Sequence, residues 1–344
     1  MSIVPAIQPA PAPIPESGAG PALAVIVVNF GSHELIERNI PALLEAASAV
    51  GPPAAGQPAA GEPAASPPAE AAPGRVHVVI VDNHHSAGET AAIAEVCARR
   101  GWEIVLNDHN AGFGAAMNAG VARARSLGCA VYLLINPDAT LTPAGVRRLY
   151  ARVLEHPLTL RSPRIVTGTG ARWFDGGTVS IERGTTRTSP GSDSSAPRGW
   201  LSGACLMVSE QLWSRVGGFD DRYFLYWEDV DLSWRCVAAG GALAVDRDVV
   251  AVHSVGGTQR GTGKSSSYVY FNCRNRMLFA GTHLLPPERR SWGRLSARYA
   301  WAVLGRGGRR ALARRSVPLG AAAVRGTLAG RRLAFGHRDS VPRS

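Results

Sequence analysis

The chain has 344 residues, 45% of them apolar, and a formal net charge of +11. That length can bury a substantial core. The absence of any uninterrupted apolar run near 18 residues, or of a basic-then-apolar leader in MSIVPAIQPAPAPIPE, argues against a spanning helix or a cleavable signal, so a soluble cytoplasmic protein is expected. Five cysteines without a CxxC pair (Cys97, Cys129, Cys205, Cys236 and Cys273) exclude zinc-ribbon spacing and a disulfide framework, and read as buried thiols.

Residues 1–20 are Pro, Ala and Gly with few large apolar side chains, a composition that predicts disorder. Leu23 to Asn29 (LAVIVVN) then reads as a buried strand, followed by a helical pattern over 33–49. Residues 51–74 repeat the Pro/Ala/Gly composition and form an insertion between elements. Strands are expected at Val76 to Val81, Glu103 to Leu106 and Ala130 to Ile135, alternating with helices over 88–100 and 113–127. Such alternation predicts an α/β fold, its parallel strands covered by helices on both faces and its ligands at the strands' carboxyl ends. After about residue 160 the alternation fails. Arg172 to Ser195 reads as a hairpin and loop, Trp200 to Val208 as a buried strand, and Trp213 to Val216 as part of a helix. Another helix opens near Glu228 and runs to about Ala239, and the next spans about Ser266 to Gly281.

The last 56 residues carry the basicity. Residues 289 to 344 hold fourteen arginines and one acid, Asp339, so the first 288 residues carry a net charge of about −2. Trp292, Tyr299, Trp301, Leu304 and Leu312 lie among these arginines. Three readings are open: a helical segment lying on an anionic membrane surface, a solvated tail, or a nucleic-acid contact. No nucleic-acid module accompanies the segment, so nucleic acid is not expected as a partner and the membrane surface is. The expected organisation is a disordered 1–20, one domain over 21–285 holding the 51–74 insertion, and an Arg-rich helical tail over 286–344.

The densest chemistry lies in FLYWEDVDLSWR, residues 224 to 235. Glu228, Asp229 and Asp231 are crowded among Phe224, Tyr226, Trp227 and Trp234, and carboxylates in apolar surroundings repel one another and lose hydration. The segment therefore reads either as an active site or as a helix start with acids in its first turn. At the carboxyl ends of the first two strands, Asn29 and Asp82 face the expected crevice, where a carboxylate can accept from a nucleobase N–H or serve as a turn cap. Residues 107 to 120 (NDHNAGFGAAMNAG) place small residues where a loop becomes a helix, a geometry that can bring backbone N–H groups to phosphate or sugar. Met117 stands where a dinucleotide fingerprint needs its third glycine, which disfavours a nicotinamide enzyme. Asn136-Pro137-Asp138 follows a strand directly and puts Asp138 at the sheet edge, where a carboxylate can hold a divalent cation or simply close a turn. His253 ends a strand-like run and reads as a metal or diphosphate ligand or as a satisfied buried histidine.

Taken in this order, VIVVNF, VDN, NAGFGAAMNAG, LLINPD, WLSGACLMV, FLYWEDVDLSWR, the His253 segment and YVYFNCRNRM resemble the family 2 glycosyltransferases, and within them the rhamnosyltransferase-like branch, over about Leu23 to Gly281. The resemblance implies a GT-A fold, a Rossmann-like mixed sheet flanked by helices. It also implies a donor site of Asn29, Asp82, Asn110, Gly112, Asn118 and Asn136, and a Mg²⁺ or Mn²⁺ ion on Asp138 and His253. Asp229 matches the catalytic base, and Trp227, Glu228, Arg274 and Asn275 fall on the acceptor or diphosphate side. Two departures stand out: His84-His85 follow Asp82-Asn83 where the family often has DNxS, and Asn136-Pro137-Asp138 offers a single carboxylate to the metal.

The implied activity is inverting transfer of a sugar, L-rhamnose from dTDP-L-rhamnose, from a nucleoside diphosphate to a hydroxyl of a saccharide or polyprenyl-diphosphate-linked acceptor in cell-wall or polysaccharide synthesis. The enzyme would work peripherally at the inner face of the cell membrane. The alternative is a catalytically silent module of the same fold that binds nucleotide or polysaccharide within an assembly.

Overall fold

The computed structural model describes residues 20–44, 72–188, 198–254, 264–306, 308 and 316–336. Residues 1–19 and 45–71, which include nearly all of the two expected disordered segments, lie outside these. Gly20, at the end of the first segment, and Pro73, near the end of the second, pair as an isolated parallel bridge.

The first half alternates strand and helix as the apolar runs predict. The elements are β1 (Ala22–Asn29), α1 (His33–Leu44), β2 (Val76–Asp82), α2 (Ala87–Arg100), β3 (Glu103–Leu106), α3 (Phe113–Ser126) and β4 (Cys129–Ile135). β3, β2, β1 and β4 lie side by side and parallel, with Asn29 beside Asp82 at the carboxyl edge. Local chemistry sets the boundaries. Ser86 caps α2 by accepting from the Glu89 N–H at 3.3 Å, and Gly101 ends it in the left-handed conformation with φ 67°. α3 lies so close to the sheet that a Cβ at Gly120 would stand 2.4 Å from the Ile26 side chain.

Beyond β4 come β5 (Ala139–Leu141), α4 (Pro143–Glu155), β6 (Thr159–Thr167), β7 (Arg172–Phe174), β8 (Gly177–Ser180), β9 (Thr185–Thr188), β10 (Gly199–Trp200), β11 (Cys205–Ser209), α5 (Glu210–Val216), α6 (Glu228–Ala238) and β12 (Ala242–His253). β11 enters antiparallel between β4 and β6, β12 runs parallel to β6, and β5 closes the edge antiparallel to β12, so the sheet is mixed. The single expected strand from Trp200 to Val208 is two. Leu201 to Ala204 leaves strand geometry between β10, in a small sheet with β8 and β9, and β11 in the main sheet. That break places the Gly203 N–H beside the α6 start.

The remaining helices are α7 (Ser266–His283), α8 (Pro286–Arg294), α9 (Ser296–Gly305) and α10 (Ser316–Phe335). The residues after 285 were expected to stand apart from the domain; instead they complete a second core. Trp292 is 0% exposed and stacks on Phe279 of α7, while Trp227 packs edge-on against it and Tyr299 edge-on against Trp227. α10 meets α7 through small residues. A Cβ at Gly326 would stand 2.3 Å from the Tyr270 carbonyl oxygen, and one at Gly330 2.5 Å from that of Arg274. All five cysteines are free thiols in buried positions.

Candidate active site

Tyr226 and Trp227 enter α6 with φ of 65° and 75°, the left-handed region that side chains with a Cβ rarely adopt. Such strain costs on the order of 1–3 kcal/mol per residue and persists only where the surroundings enforce it. Here the enforcing group is Asn275 of α7, whose side-chain amide donates to the Leu225 and Tyr226 carbonyls at 2.9 and 2.8 Å. The strained entry presents Asp229 in the first turn, part-exposed. Its carboxylate accepts from the Gly203 N–H at 3.1 Å and the Val230 N–H at 2.8 Å. Burial pushes its pKa up to about 6, although those backbone donors pull it down. Glu228 beside it is buried with one carboxyl oxygen unpartnered, and burial followed by the Asp229 charge drives its pKa well above the usual range. Burial thus raises the pKa values of both acids of the pair.

The acids open a helix, as the helix-start reading expects, and the turn that leads into it is strained. Asp231, the third acid, turns inward. At 0% exposure it pairs with Arg235 at 2.7 Å and His283 at 2.6 Å, tying α6 to α7.

Asp138 and His253 meet across the β5/β12 edge, with His253 Nε2 3.0 Å from Asp138 Oδ1. Both are nearly buried, the Trp173 ring packs edge-on against the imidazole at 4.5 Å, and His253 Nδ1 is buried without a partner. The Asn136-Pro137-Asp138 turn is fixed by Asn39, which donates to the Pro137 carbonyl at 2.8 Å. Asn136 N–H donates to the Ala204 carbonyl at 3.0 Å, and Gly203 donates to Asp229, so the segment 202–204 joins the two carboxylates along one sheet edge. A carboxylate and an imidazole are two donors suited to Mg²⁺ or Mn²⁺, and a diphosphate and water would supply the remaining positions. Among the described residues, no three His, Cys, Asp or Glu side chains cluster to hold a metal by themselves.

Several residues expected on the donor side are turned to other work. Asn29 and Asp82 are both 0% exposed; Asp82 accepts from Asn29 at 2.9 Å and from the Thr90 hydroxyl at 2.5 Å, leaving neither carboxyl oxygen open to a base. At the α3 entry three backbone N–H groups are already taken. Asn110 caps the Gly112 N–H at 3.0 Å, Asn83 takes that of Ala111, and the Phe224 carbonyl takes that of Phe113. Gly112, at φ 92°, is needed because a Cβ there would stand 2.4 Å from the Phe224 oxygen. Asn118 donates to the Phe219 carbonyl and to Asp221, clamping the loop before α6. Asn110, Asn118 and Asn136 are part-exposed, and Asn136 adjoins Asp138 in the chain.

The acceptor-side expectations divide in the same way. Trp227 is 4% exposed, its ring in the second core and its indole N–H directed at the Tyr299 hydroxyl, 3.3 Å away, so it offers no face to a sugar. Asn275 is 0% exposed and is the clamp of the strained turn. Arg274 is part-exposed and donates to the Arg222 carbonyl at 2.9 Å. The sequence reading did not single out Trp173, Gly203 or Asn39. Asn39 alone left a signal, a polar residue on the apolar face of α1.

Residues 69–195 match the family model Glycosyl transferase family 2, a span that includes Asp82 and Asp138 and ends before Asp229 and His253. Over 212 residues the chain is 26% identical to the low-salt glycan biosynthesis hexosyltransferase Agl10 of Haloferax volcanii, covering 60% of this chain and 67% of that protein. A 47-residue stretch is 57% identical to the N-acetylglucosaminyl-diphospho-decaprenol L-rhamnosyltransferase of Mycobacterium tuberculosis, covering 14% of this chain and 15% of that one. Two solved structures share the fold. GalNAc-T7 with UDP, GalNAc and Mn²⁺ superposes with a TM-score of 0.52 at 12% identity, over 76% of this chain and 51% of that one. The mannosyltransferase PcManGT from Pyrobaculum calidifontis, with GDP-Man and Mn²⁺, gives 0.50 at 14% identity, over 92% and 88%.

Proposed function

Because the chain belongs to the family 2 glycosyltransferases and has their GT-A fold, we propose that it transfers a sugar, with inversion, from a nucleoside diphosphate to a hydroxyl of a lipid-linked or polysaccharide acceptor. The observation that carries this reading is Asp229, part-exposed in a strained turn with its pKa raised to about 6 and joined by residues 202–204 to the Asp138–His253 edge. A carboxylate of that basicity suits a general base near neutral pH, able to take the acceptor hydroxyl proton as that oxygen attacks the anomeric carbon. Asp138 and His253 are the residues that would hold a divalent cation, and such an ion supplies neutralisation of the departing diphosphate. Asn136 is the part-exposed donor-side residue at this edge.

L-rhamnose is the sugar we favour, with dTDP as the nucleotide. Its support is the motif set of the rhamnosyltransferase-like branch and the short, strong match to a rhamnosyltransferase acting on a decaprenol diphosphate. UDP- and GDP-sugars, the nucleotide types bound by the structural neighbours, are the competing donors. No described helix is long and apolar enough to cross a membrane. Peripheral association at the inner membrane face is supported by α10, which buries Ala322, Ala323, Gly326, Gly330 and Ala334 and exposes Val317, Val324, Leu328 and Phe335 beside arginines.

Calorimetric titration of the full chain with dTDP-rhamnose, UDP-galactose, UDP-GlcNAc and GDP-mannose, each with Mn²⁺ or chelator, tests the reading. Metal-dependent binding of one donor supports it and names the sugar. Binding of none would favour the silent-module alternative.

A further inference from the structure

At its carboxyl end β6 has a neighbour on each side. β12 lies on one, with His253 opposite Thr167, and β7 lies on the other, the side on which β11 meets Arg161. Between the pairs Ile165–Phe174 and Val166–Arg172 the register shifts: β7 takes two steps where β6 takes one, and Trp173 is the bulged residue. Bulges re-aim a side chain and are over-represented next to active sites. Here the bulge sends the indole across the end of β6 to His253, with the ring centroids 4.5 Å apart, while the Phe174 ring lies 5.0 Å from that of Trp200. Trp200 stands just before residues 202–204, whose Gly203 N–H donates to Asp229.

β7 therefore stands between the two carboxylates of the site, Asp138 beside His253 and Asp229 beside Gly203. Trp173 is 36% exposed, and of the chain's eight tryptophans only Trp301 is more so. Toward His253 the ring does no more than pack edge-on; the rest of the indole is open to solvent. The hairpin that carries it is otherwise polar at its exposed end, with Arg172 beside the ring in sequence and the Thr167 and Thr169 hydroxyls bonded to each other at 2.8 Å. An aromatic surface framed by hydroxyl and guanidinium groups suits a pyranose, which is apolar across one face and polar around its edge.

We propose that Trp173 carries the apolar face of the sugar being transferred and sets the preference for a 6-deoxyhexose. The proposal rests on the transfer reading above and adds to it the residue that reads the sugar. In that reading the diphosphate lies at the Asp138–His253 edge and the acceptor oxygen at Asp229, so the transferred ring spans the gap that Trp173 flanks. A 6-deoxy sugar ends in a methyl group, which gains from contact with the indole. A hydroxymethyl group in the same place gives up hydration to a surface that offers it no hydrogen bond.

The test is calorimetric titration of the full chain and of Trp173→Ala with dTDP, dTDP-rhamnose and dTDP-glucose, each with Mn²⁺. The parent protein should bind dTDP-rhamnose about tenfold or more tightly than dTDP-glucose, and Trp173→Ala should lose about tenfold toward dTDP-rhamnose but about threefold or less toward dTDP. Trp173→Phe keeps a smaller aromatic face and should lose about threefold toward dTDP-rhamnose; it replaces Trp173→Ala if that variant does not fold. No loss toward dTDP-rhamnose in the folded variant overturns the contact. An equal loss toward dTDP also overturns it, because the ring would then act through the Asp138–His253 pair and not on the sugar. A preference for dTDP-rhamnose that persists in Trp173→Ala, or a parent protein that binds dTDP yet does not distinguish the two sugars, overturns the specificity role. Failure of the parent to bind dTDP at all would strike the transfer reading itself, a result distinct from dTDP binding to which the sugar adds nothing.

Discussion

Asn275 holds Tyr226 in the left-handed region by donating to its carbonyl at 2.8 Å, with a second bond to Leu225 at 2.9 Å. The strained entry to α6 therefore depends on one amide from another helix. Asn275→Ala leaves two inward carbonyls without a donor and should lower stability by about 1–3 kcal/mol. It should also lower kcat by roughly a hundredfold, because a displacement of about 1 Å at Asp229 spoils the geometry of proton removal. Denaturant unfolding and steady-state kinetics check the two effects; full activity in a folded variant would show that the strain has no part in transfer.

Asp229→Asn should cut turnover by roughly 10²–10⁴-fold while leaving nucleotide-sugar affinity intact, since the substitution removes a base and no donor contact. In the parent protein the activity limb should rise through pH 6, where Asp229 loses its proton. Stability should move the other way. With a folded pKa of about 6 and an unfolded value near 3.8, the folded state binds the extra proton, so the contribution of Asp229 to stability is full below pH 4 and is lost as pH rises through 6. Thermal melts at pH 4.5 and 7 should show a smaller drop for Asp229→Asn than for the parent. A pH–rate limb unmoved from pH 4 would remove Asp229 from the role of base.

Asp138→Ala and His253→Ala should each abolish the dependence of nucleotide-sugar affinity on Mn²⁺, and Trp173→Ala should weaken it less because that ring only packs on the imidazole. Two protein donors and a diphosphate share the ion, so metal affinity without nucleotide should be low for the parent protein as well. Calorimetry with and without chelator reads both. Unchanged metal dependence in Asp138→Ala would exclude this pair as the cation site.

What the sequence made legible was whatever period or composition encodes. The continuous apolar runs of β1, β2 and β4 appear where the pattern puts them, and the acid cluster does open a helix. Which polar side chains face a ligand was not legible, because that depends on partners far along the chain. Asp82 is sealed by Thr90 and Asn29, Asn275 reaches back to residue 226, and Asn118 reaches residue 221. The same composition that suggested a basic tail on the membrane surface conceals Trp292 at 0% exposure. Arginine count reports the surface of α8 and α9 and says nothing of the face turned inward.

That burial changes how membrane association must be tested. Removing residues 289–344 would delete Trp292 from the second core, a loss worth about 3–5 kcal/mol for the side chain alone, so such a chain would report unfolding before it reported lipid contact. Point changes on the two faces of α10 separate the effects. Gly326→Val places side-chain atoms where a Cβ alone stands 2.3 Å from the Tyr270 carbonyl oxygen, forcing α10 off α7, and should lower stability by about 2 kcal/mol or more. Val324→Glu/Leu328→Glu alters side chains already 59% and 52% exposed and should leave the melting temperature unchanged. If α10 lies on the bilayer, that double variant should lose about tenfold or more in binding to phosphatidylglycerol vesicles, since two apolar groups become anions at an anionic surface. Undiminished vesicle binding would remove this face from the membrane contact and leave the arginines elsewhere on α8 and α9 to account for it.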